Sequence, residues 1–265
     1  MFRRWIRAYC APRADIPRRV SSLAGFVVTS LLLGLWCLAT YGGLVRTDFL
    51  PPPHAVIAAA VRFASNGRLF VDIWASVRVI LLGFVISSLL AVPLGILMGS
   101  FRIVQAAIEP TINFIRYLPV TSMIPLLILW VGIGIEQKVA VIIVGTFFQQ
   151  IVLIADVTAQ VPRDLINVSY TLGATRRQVV TRVLIPATLP GVVDALRITM
   201  GWAWTYLVVA ELVAANTGLG YLSLQAMRGF RVDVIFLAIL IIGLLGMIMD
   251  FTFRSLRRWL LAWAD

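Results

Sequence analysis

The apolar residues of this chain fall in long blocks rather than in alternating or helical-period stripes, and that feature leaves few folds open. A block of about 18 residues or more with few charges matches, as a helix, the hydrocarbon thickness of a bilayer. Composition agrees where it matters. At 60% hydrophobic and 13% charged, the 265 residues include too few polar ones to clothe a soluble domain of that size. The sequence therefore predicts an all-α, polytopic membrane protein with one membrane domain.

Six transmembrane helices are predicted, over residues 23–45, 73–99, 108–133, 138–160, 191–213 and 234–253. Each reaches about 20 residues, enough for roughly 30 Å of hydrocarbon at 1.5 Å rise per residue. The second is entered obliquely, because Arg78 lies near its start. Residues 1–19 hold six Arg, like the charged region of a signal peptide. The apolar block that follows is too long for a signal core and has no small-residue cleavage site after it, so it reads as an uncleaved first span. The division is a basic cytoplasmic segment at 1–22 and a single transmembrane domain at 23–265.

Basic residues set the expected orientation. The side of the N-terminal Arg cluster also receives Arg102, Arg163, Arg176, Arg177, Arg182, Arg254, Arg257 and Arg258. The other side receives Arg46, Arg62, Arg68, Lys138, Arg228 and Arg231. The excess places both termini in the cytoplasm. The net charge of +11 then reflects loops facing anionic lipid. No Lys/Arg run is interleaved with aromatics on a soluble segment, which excludes a nucleic-acid partner.

The connections differ in character. Leu50-Pro51-Pro52-Pro53 breaks the chain after the first span, and residues 53–70 read as one or two short outside helices. The link between spans three and four is a few residues around Glu136-Gln137. The outside stretch 214–233 holds Gly218 and Gly220 and is too polar to span. The longest inside loop runs over 161–190. Within it Gly173 separates two short helical segments, and glycine allows a backbone conformation or a close approach that a Cβ forbids. Leu172, Val179, Val180 and Val183 offer apolar anchors, Arg176, Arg177 and Arg182 a basic rim. Pro186 and Pro190 are expected to end the loop helix and restart the chain as span five. On periodicity alone, the same segment reads equally as an amphipathic helix lying on anionic lipid.

Residues 167–186, Asn-Val-Ser-Tyr-Thr-Leu-Gly-Ala-Thr-Arg-Arg-Gln-Val-Val-Thr-Arg-Val-Leu-Ile-Pro, resemble the cytoplasmic loop motif of ABC importer permeases. That motif runs Glu-Ala-Ala, three residues, Gly, nine residues, then hydrophobic–x–hydrophobic–Pro. Gly173, Val183, Ile185 and Pro186 stand in register, while Asn167-Val168-Ser169 replaces Glu-Ala-Ala, so the acidic lead is missing. Three further stretches are similar to the nitrate/taurine/sulfonate/bicarbonate branch. They are Leu50-Pro51-Pro52-Pro53; Arg116-Tyr117-Leu118-Pro119 with Ile124-Pro125-Leu126 and Trp130-Val131-Gly132-Ile133-Gly134; and Ala210-Glu211 with Ala214-Ala215-Asn216-Thr217-Gly218-Leu219-Gly220-Tyr221. The resemblance covers about residues 50–235.

It implies a type I ABC importer permease fold in the bacterial inner membrane, and a transport subunit rather than an enzyme. The implied partners are a second copy of the chain, two ABC ATPase subunits and a periplasmic or lipid-anchored substrate-binding protein. The cargo implied is a small anion such as nitrate, bicarbonate, taurine or another sulfonate. ATP and Mg would be bound by the ATPase, and no cofactor by this chain. The loop residues that would grip the ATPase are Asn167, Ser169, Leu172, Gly173, Ala174, Arg176, Arg177, Val183 and Pro186. ATP binding would draw two such loops together and open the spans outward in alternating access.

Residues expected along a translocation path are Arg116, Gln149, Gln150, Trp204 and Glu211. A charge at mid-membrane costs roughly 2.5–3.5 kcal/mol on insertion scales, so Arg116 either contacts an anion or snorkels to the inside headgroups. Pro119 and Pro125 free backbone groups in the same span, which favours a wet or protein-lined face. Gln149 and Gln150 serve either as anion donors or as bonds between helices. Trp202, Trp204 and Tyr206 cluster in span five, where packing and path lining are both open. Glu211, near the outside surface, suits a gate or a contact with the binding protein. Asp156 and Asp194 read as interfacial anchors or as partners for loop Arg, and Gly95 and Gly99 fit small-xxx-small helix packing.

Other chemistries lack their residues. His54 stands alone, and Cys10 and Cys37 sit in different environments, so neither a metal site nor a disulfide is expected. The single Lys, Lys138, follows Gln137 and not Gly, so there is no Walker A sequence. Neither His-Glu-x-x-His nor Gly-x-Ser-x-Gly occurs. The rival readings are a membrane-embedded enzyme, which needs paired ionisable groups facing one site, and a channel or secondary transporter, which would often show an inverted repeat.

Overall fold

A computed structural model describes residues 17–263, and among these residues every regular element is helical. In chain order the helices are α1 Arg18–Tyr41, α2 Pro53–Ser65, α3 Arg68–Ser100, α4 Arg102–Arg116, α5 Val120–Val131, α6 Ile135–Ala159, α7 Arg163–Thr171, α8 Ile185–Ala214, α9 Leu219–Arg228 and α10 Val232–Leu260. A turn of helix at Arg176–Gln178 and a π-helical stretch at Val179–Leu184 lead into α8. Residues 1–16, most of the basic N-terminal segment and Cys10, lie outside the described residues. Cys37 is a free thiol on α1.

Five helices are long and apolar enough to cross a membrane, and six spans result if α4 and α5 together make one. The third span is therefore not the single rod expected. Its halves meet at 95° around Tyr117, Leu118 and Pro119. The break itself is local: Pro119 has no N–H for the ladder and disfavours the α region at Leu118. Pro110 and Pro125 lie inside their helices without breaking them. Two other expectations change. Glu136 and Gln137 lie in the first turn of α6, and the link before them is 132–134, with Gly132 at φ +88°. Neither Pro186 nor Pro190 ends a helix, since an uninterrupted one runs from Arg176 to Val213. Pro186 stands directly after the wider π turns at Val179–Leu184, where the change of hydrogen-bond register accommodates a residue without an N–H.

The centre of the bundle is the pair α3 and α6. Small residues recur every four positions on α3: Gly83, Ser87, Ala91, Gly95 and Gly99. A Cβ on Gly83 would strike Ile142, one on Gly95 would strike Ile154, and one on Gly99 would strike Ala155 and Thr158. This four-residue ridge lets the two backbones approach closely, where dispersion and polar bonds replace the hydrophobic effect as the cohesive force in lipid. Gln150, fully buried on α6, stitches three helices. It accepts from Ser87 at 2.9 Å and donates to Ser88 at 3.1 Å and Thr199 of α8 at 3.4 Å. Each such bond contributes about 1 kcal/mol in a membrane. α8 packs on α6 through Gly145, whose absent Cβ leaves room for the Tyr206 ring. A second apolar cluster at one end joins α2, α9 and α10 through Phe63, Leu222, Ala226, Val234 and Leu237.

Candidate functional site

Three local structures gather the candidate residues. The first is the segment from α7 into α8. α7 ends in a left-handed residue, Gly173 at φ +82°. The Ala174 N–H donates to the Ser169 carbonyl at 3.0 Å and the Gly173 N–H to that of Tyr170 at 2.9 Å, a Schellman closure. A Cβ at Gly173 would meet nothing in this subunit, so the dihedral, not space, calls for glycine. Thr175 then opens the next helix with a reciprocal box: its N–H donates to Gln178 Oε1 at 2.8 Å, and its Oγ1 accepts from the Gln178 N–H.

Sequence reasoning misassigned some side chains here. Val179 and Leu184 are both buried, Leu184 against Ile96 and Ile154 of the bundle, so Val179 is not a free anchor. Leu172, an expected anchor, is 83% accessible, and the rest of the exposed apolar surface comes from Leu165, Val168 and Tyr170. Arg176 lies over the Phe101 ring at 5.1 Å, which ties the loop to the α3–α4 junction. Arg177 and Arg182 are exposed, as is Asn167, while Ser169, Ala174, Val183 and Pro186 are half-buried. Ser169 and Leu172 face Gln178, Arg182 and Val183 across an open cleft of about 340 Å³.

The second structure lies at the bend of the third span. Arg116, the last residue of α4, packs its guanidinium over the Tyr117 ring at 5.0 Å and donates to the Tyr117 hydroxyl at 3.3 Å. Its Nε is buried and has no hydrogen-bond partner among the described residues. Arg116 shares a narrow crevice with Gln149, Phe148, Gly145 and Tyr206. The other three expected path residues are elsewhere. Gln150 points into the α3–α6–α8 core described above. Trp204 is buried among Phe84, Met200 and Leu207. Glu211 is 1% exposed. The expectation that all five line one path is corrected: neighbouring helical positions such as 149 and 150 point about 100° apart, and only Gln149 faces Arg116.

The third structure, at the other end of α8, is built around Glu211. Gly218, Leu219 and Gly220 present three successive backbone N–H groups. Asp72 Oδ1 accepts the first at 2.9 Å, Ser76 Oγ the second at 2.9 Å, and Glu211 Oε2 the third at 2.8 Å. Ser76 Oγ in turn donates to Glu211 Oε1 at 2.7 Å. Lys138, itself buried, attracts the Glu211 carboxylate, and Arg68 lies 3.8 Å from Asp72. A buried carboxylate is costly unless N–H and O–H donors surround it, and here they do. Glu211 is thus a clamp on residues 218–220 and not a solvent-facing gate. Asp72 and Ser76 were missed by sequence reasoning; a carboxylate and a hydroxyl one turn apart at the start of an apolar block were the available signal.

Asp194 pairs with Arg257 at 3.6 Å and Arg197 at 3.8 Å, partners on α8 and α10 rather than in the loop. His54 Nδ1 hydrogen-bonds the Tyr41 hydroxyl at 2.7 Å. Among the described residues no group of three His, Cys, Asp or Glu side chains is placed to hold a metal ion.

Residues 91–262, from mid-α3 to the end of α10, match the family of binding-protein-dependent transport system inner membrane components. The chain belongs to this family. The permease is 39% identical to a probable ABC transporter permease protein of Brucella abortus (strain 2308), over 88% of this chain and 92% of the relative. It is 31% identical to the taurine transport system permease protein TauC of Escherichia coli (strain K12), over 95% and 92%. Its fold matches the inward-facing MetNI methionine ABC transporter with a TM-score of 0.61 and 24% identity, over 70% of this chain and 92% of that one. The chain is accordingly a multi-pass inner-membrane permease of an ABC importer, a transport subunit and not an enzyme. A permease of this kind implies an ATPase and a substrate-binding partner.

Proposed function

We propose that this permease carries a small anion, of the sulfonate class, delivered by an external binding protein. The observation behind this reading is the Arg116 guanidinium, half-buried at a break in the third span, with an unpartnered Nε and with Gln149 and Tyr206 beside it. A planar fork suits an oxyanion bidentately, and the cost of holding the charge there is offset when an anion passes. Relatives named for taurine and for aliphatic sulfonates support the same class. Another relative, 33% identical, is named for formylaminopyrimidine transport; a guanidinium in the path favours the anion over a neutral heterocycle.

In this reading residues 23–265 form one transmembrane domain, both termini face the cytoplasm, and two copies of the chain assemble with two ATPase subunits that bind ATP and Mg. The loop over 161–190 grips the ATPase. Its contact residues are Asn167, Ser169, Leu172, Gly173, Ala174, Arg176, Arg177 and Val183, with Pro186 behind them. Asn167 replaces an acid, so the contact there is a neutral hydrogen bond. ATP favours the outward-open state only through contacts that differ between the two states.

The test is uptake of taurine and of a short alkanesulfonate by the reconstituted transporter. Arg116→Gln is expected to cut uptake at least tenfold with assembly kept, and Arg116→Lys to recover part of it. Undiminished uptake by Arg116→Gln returns this residue to snorkelling.

A further inference from the structure

The turn between α9 and α10 carries a feature that the fold does not require. Phe230 lies at φ +52° in the left-handed region, among the described residues the single non-glycine there. It ends α9 by a Schellman closure, its N–H donating to Met227 at 3.1 Å and the Arg231 N–H to Ala226 at 2.8 Å. Glycine normally fills that position, and a side chain with a Cβ costs about 1–2 kcal/mol there. A glycine stands next door, at 229, in an ordinary conformation. The strained residue nevertheless bears an aromatic ring that is 94% exposed. Strain held under an outward apolar side chain points to a role outside the subunit.

The next residue, Arg231, lines a basic cleft. The guanidiniums of Arg62, Arg68 and Arg231 lie 6.0, 5.9 and 5.5 Å from the centroid of one ring, Phe63. Arg68 also donates to Gln225 Oε1, and Arg62 donates to Asp233 at 3.1 Å. Arg68, Arg231 and Gln225 line a cleft of about 130 Å³. Arg231 Nη2 is buried there with no hydrogen-bond partner, its ionic neighbour Asp233 lying 3.8 Å away. Asp233 is shared between Arg62 and Arg231, and Asp72, whose Oδ1 accepts from Gly218, lies 3.8 Å from Arg68, so three arginines face two carboxylates. The cleft therefore keeps unspent positive charge beside an exposed aromatic. In the proposed orientation it stands on the external face, where basic residues are disfavoured without a purpose.

We infer that the α9–α10 turn is a docking knob for the external binding protein: Phe230 enters an apolar pocket on that partner, and an Asp or Glu side chain of the partner enters the Arg68–Arg231 cleft. The cleft has room for one carboxylate head. An aromatic anchor beside a charge pair is the composition of an interface hot spot. The clamp on residues 218–220 holds the N-terminus of α9 to α3 and α8, so the knob stands on a rigid base. This inference rests on delivery by a binding protein.

The experiment uses the assembled transporter in liposomes of phosphatidylethanolamine and phosphatidylglycerol, with hydrolysis titrated by the binding protein that supports uptake through this permease. Phe230→Gly keeps the turn, since glycine suits its dihedral; the concentration for half-maximal stimulation is expected to rise at least tenfold. The wild type is expected to lose affinity as NaCl rises from about 50 to about 300 mM; Arg231→Glu is expected to raise the half-maximal concentration about a hundredfold and to abolish that salt dependence. Unchanged half-maximal concentrations for both variants overturn the docking knob while leaving delivery intact. A wild-type transporter that no binding protein stimulates overturns delivery, and the knob with it. A third result, unchanged titrations but release of Phe230→Gly transporter from bilayers at lower detergent, assigns Phe230 to the lipid interface and overturns the inference.

Discussion

The two ends of α8 are organised on opposite principles. At the end that the proposed orientation places inside, the segment from Arg163 to Leu184 is shaped mostly by its own backbone: a Schellman closure at Gly173, a capping box at Thr175, and a buried Val179 and Leu184. Its apolar residues Leu165, Val168, Tyr170 and Leu172 have no cover. At the outer end, residues 218–220 have little freedom, because side chains from α3 and α8 take up each N–H. A self-shaped segment with bare apolar surface needs a partner to complete it. A clamped one is complete within the subunit and can only move with the helices that clamp it.

The sharpest way to break the contrast is to cut the outer clamp. Glu211→Ala strands the Gly220 N–H and removes the acceptor of Ser76. A loss of about 3 kcal/mol is expected, since removing one partner of a buried charged network leaves the rest unsatisfied. Thermal unfolding of the extracted transporter should show it as a clear fall in Tm, and Glu211→Gln should fall less. An unchanged Tm in Glu211→Ala means the outer end is not held by this network.

At the inner end the effect should fall on function. Gly173→Val places a β-branched residue at φ +82°, costing about 1–2 kcal/mol in a surface loop. The spans should insert and the Tm should stay close to wild type, while ATPase co-purification or its coupling to uptake is lost. Gly173→Asn, which tolerates the left-handed region, should keep both. Wild-type coupling in Gly173→Val would remove the loop from the mechanism.

Gln150→Leu probes the rod between the ends. Loss of its bonds to Ser87, Ser88 and Thr199 should cost roughly 1–2 kcal/mol of stability. Uptake per folded transporter should be unchanged, and a change in cargo selectivity instead would put Gln150 back on the path.

The mildest perturbation tests the sidedness on which the comparison depends. Single cysteines at Asn66 and Thr175, both exposed, should shift stability by less than about 0.5 kcal/mol. A membrane-impermeant maleimide should label the first in intact cells and spare the second. The reverse pattern inverts the assignment of inner and outer ends.

The spans were legible in the sequence because bilayer thickness fixes their length, whatever packs against them. The bend at 117–119 was legible only as a proline; its 95° angle depends on what α4 and α5 pack against, which local sequence does not encode. The left-handed turn at Gly173 could be read from spacing, since one residue type suits it. Val179 could not be assigned correctly, because a short amphipathic segment shows an apolar side without saying which body it meets. The Glu211 clamp was beyond reach for a different reason. Ser76 and Glu211 are 135 positions apart, and no periodicity links residues on separate spans.

The helix from Arg176 to Val213 is uninterrupted over 38 residues. At 1.5 Å per residue it is a strut of about 57 Å. Such a strut has mechanical advantage: pivoted near one end and tilted by about 10°, it sweeps the far end through roughly 10 Å. A push on the 161–184 segment would then reach the clamp as geometry rather than as a chain of side-chain rearrangements. The load is carried by backbone hydrogen bonds laid end to end, and the section most able to yield is the π turn at Val179–Leu184, immediately beside the point where the force enters.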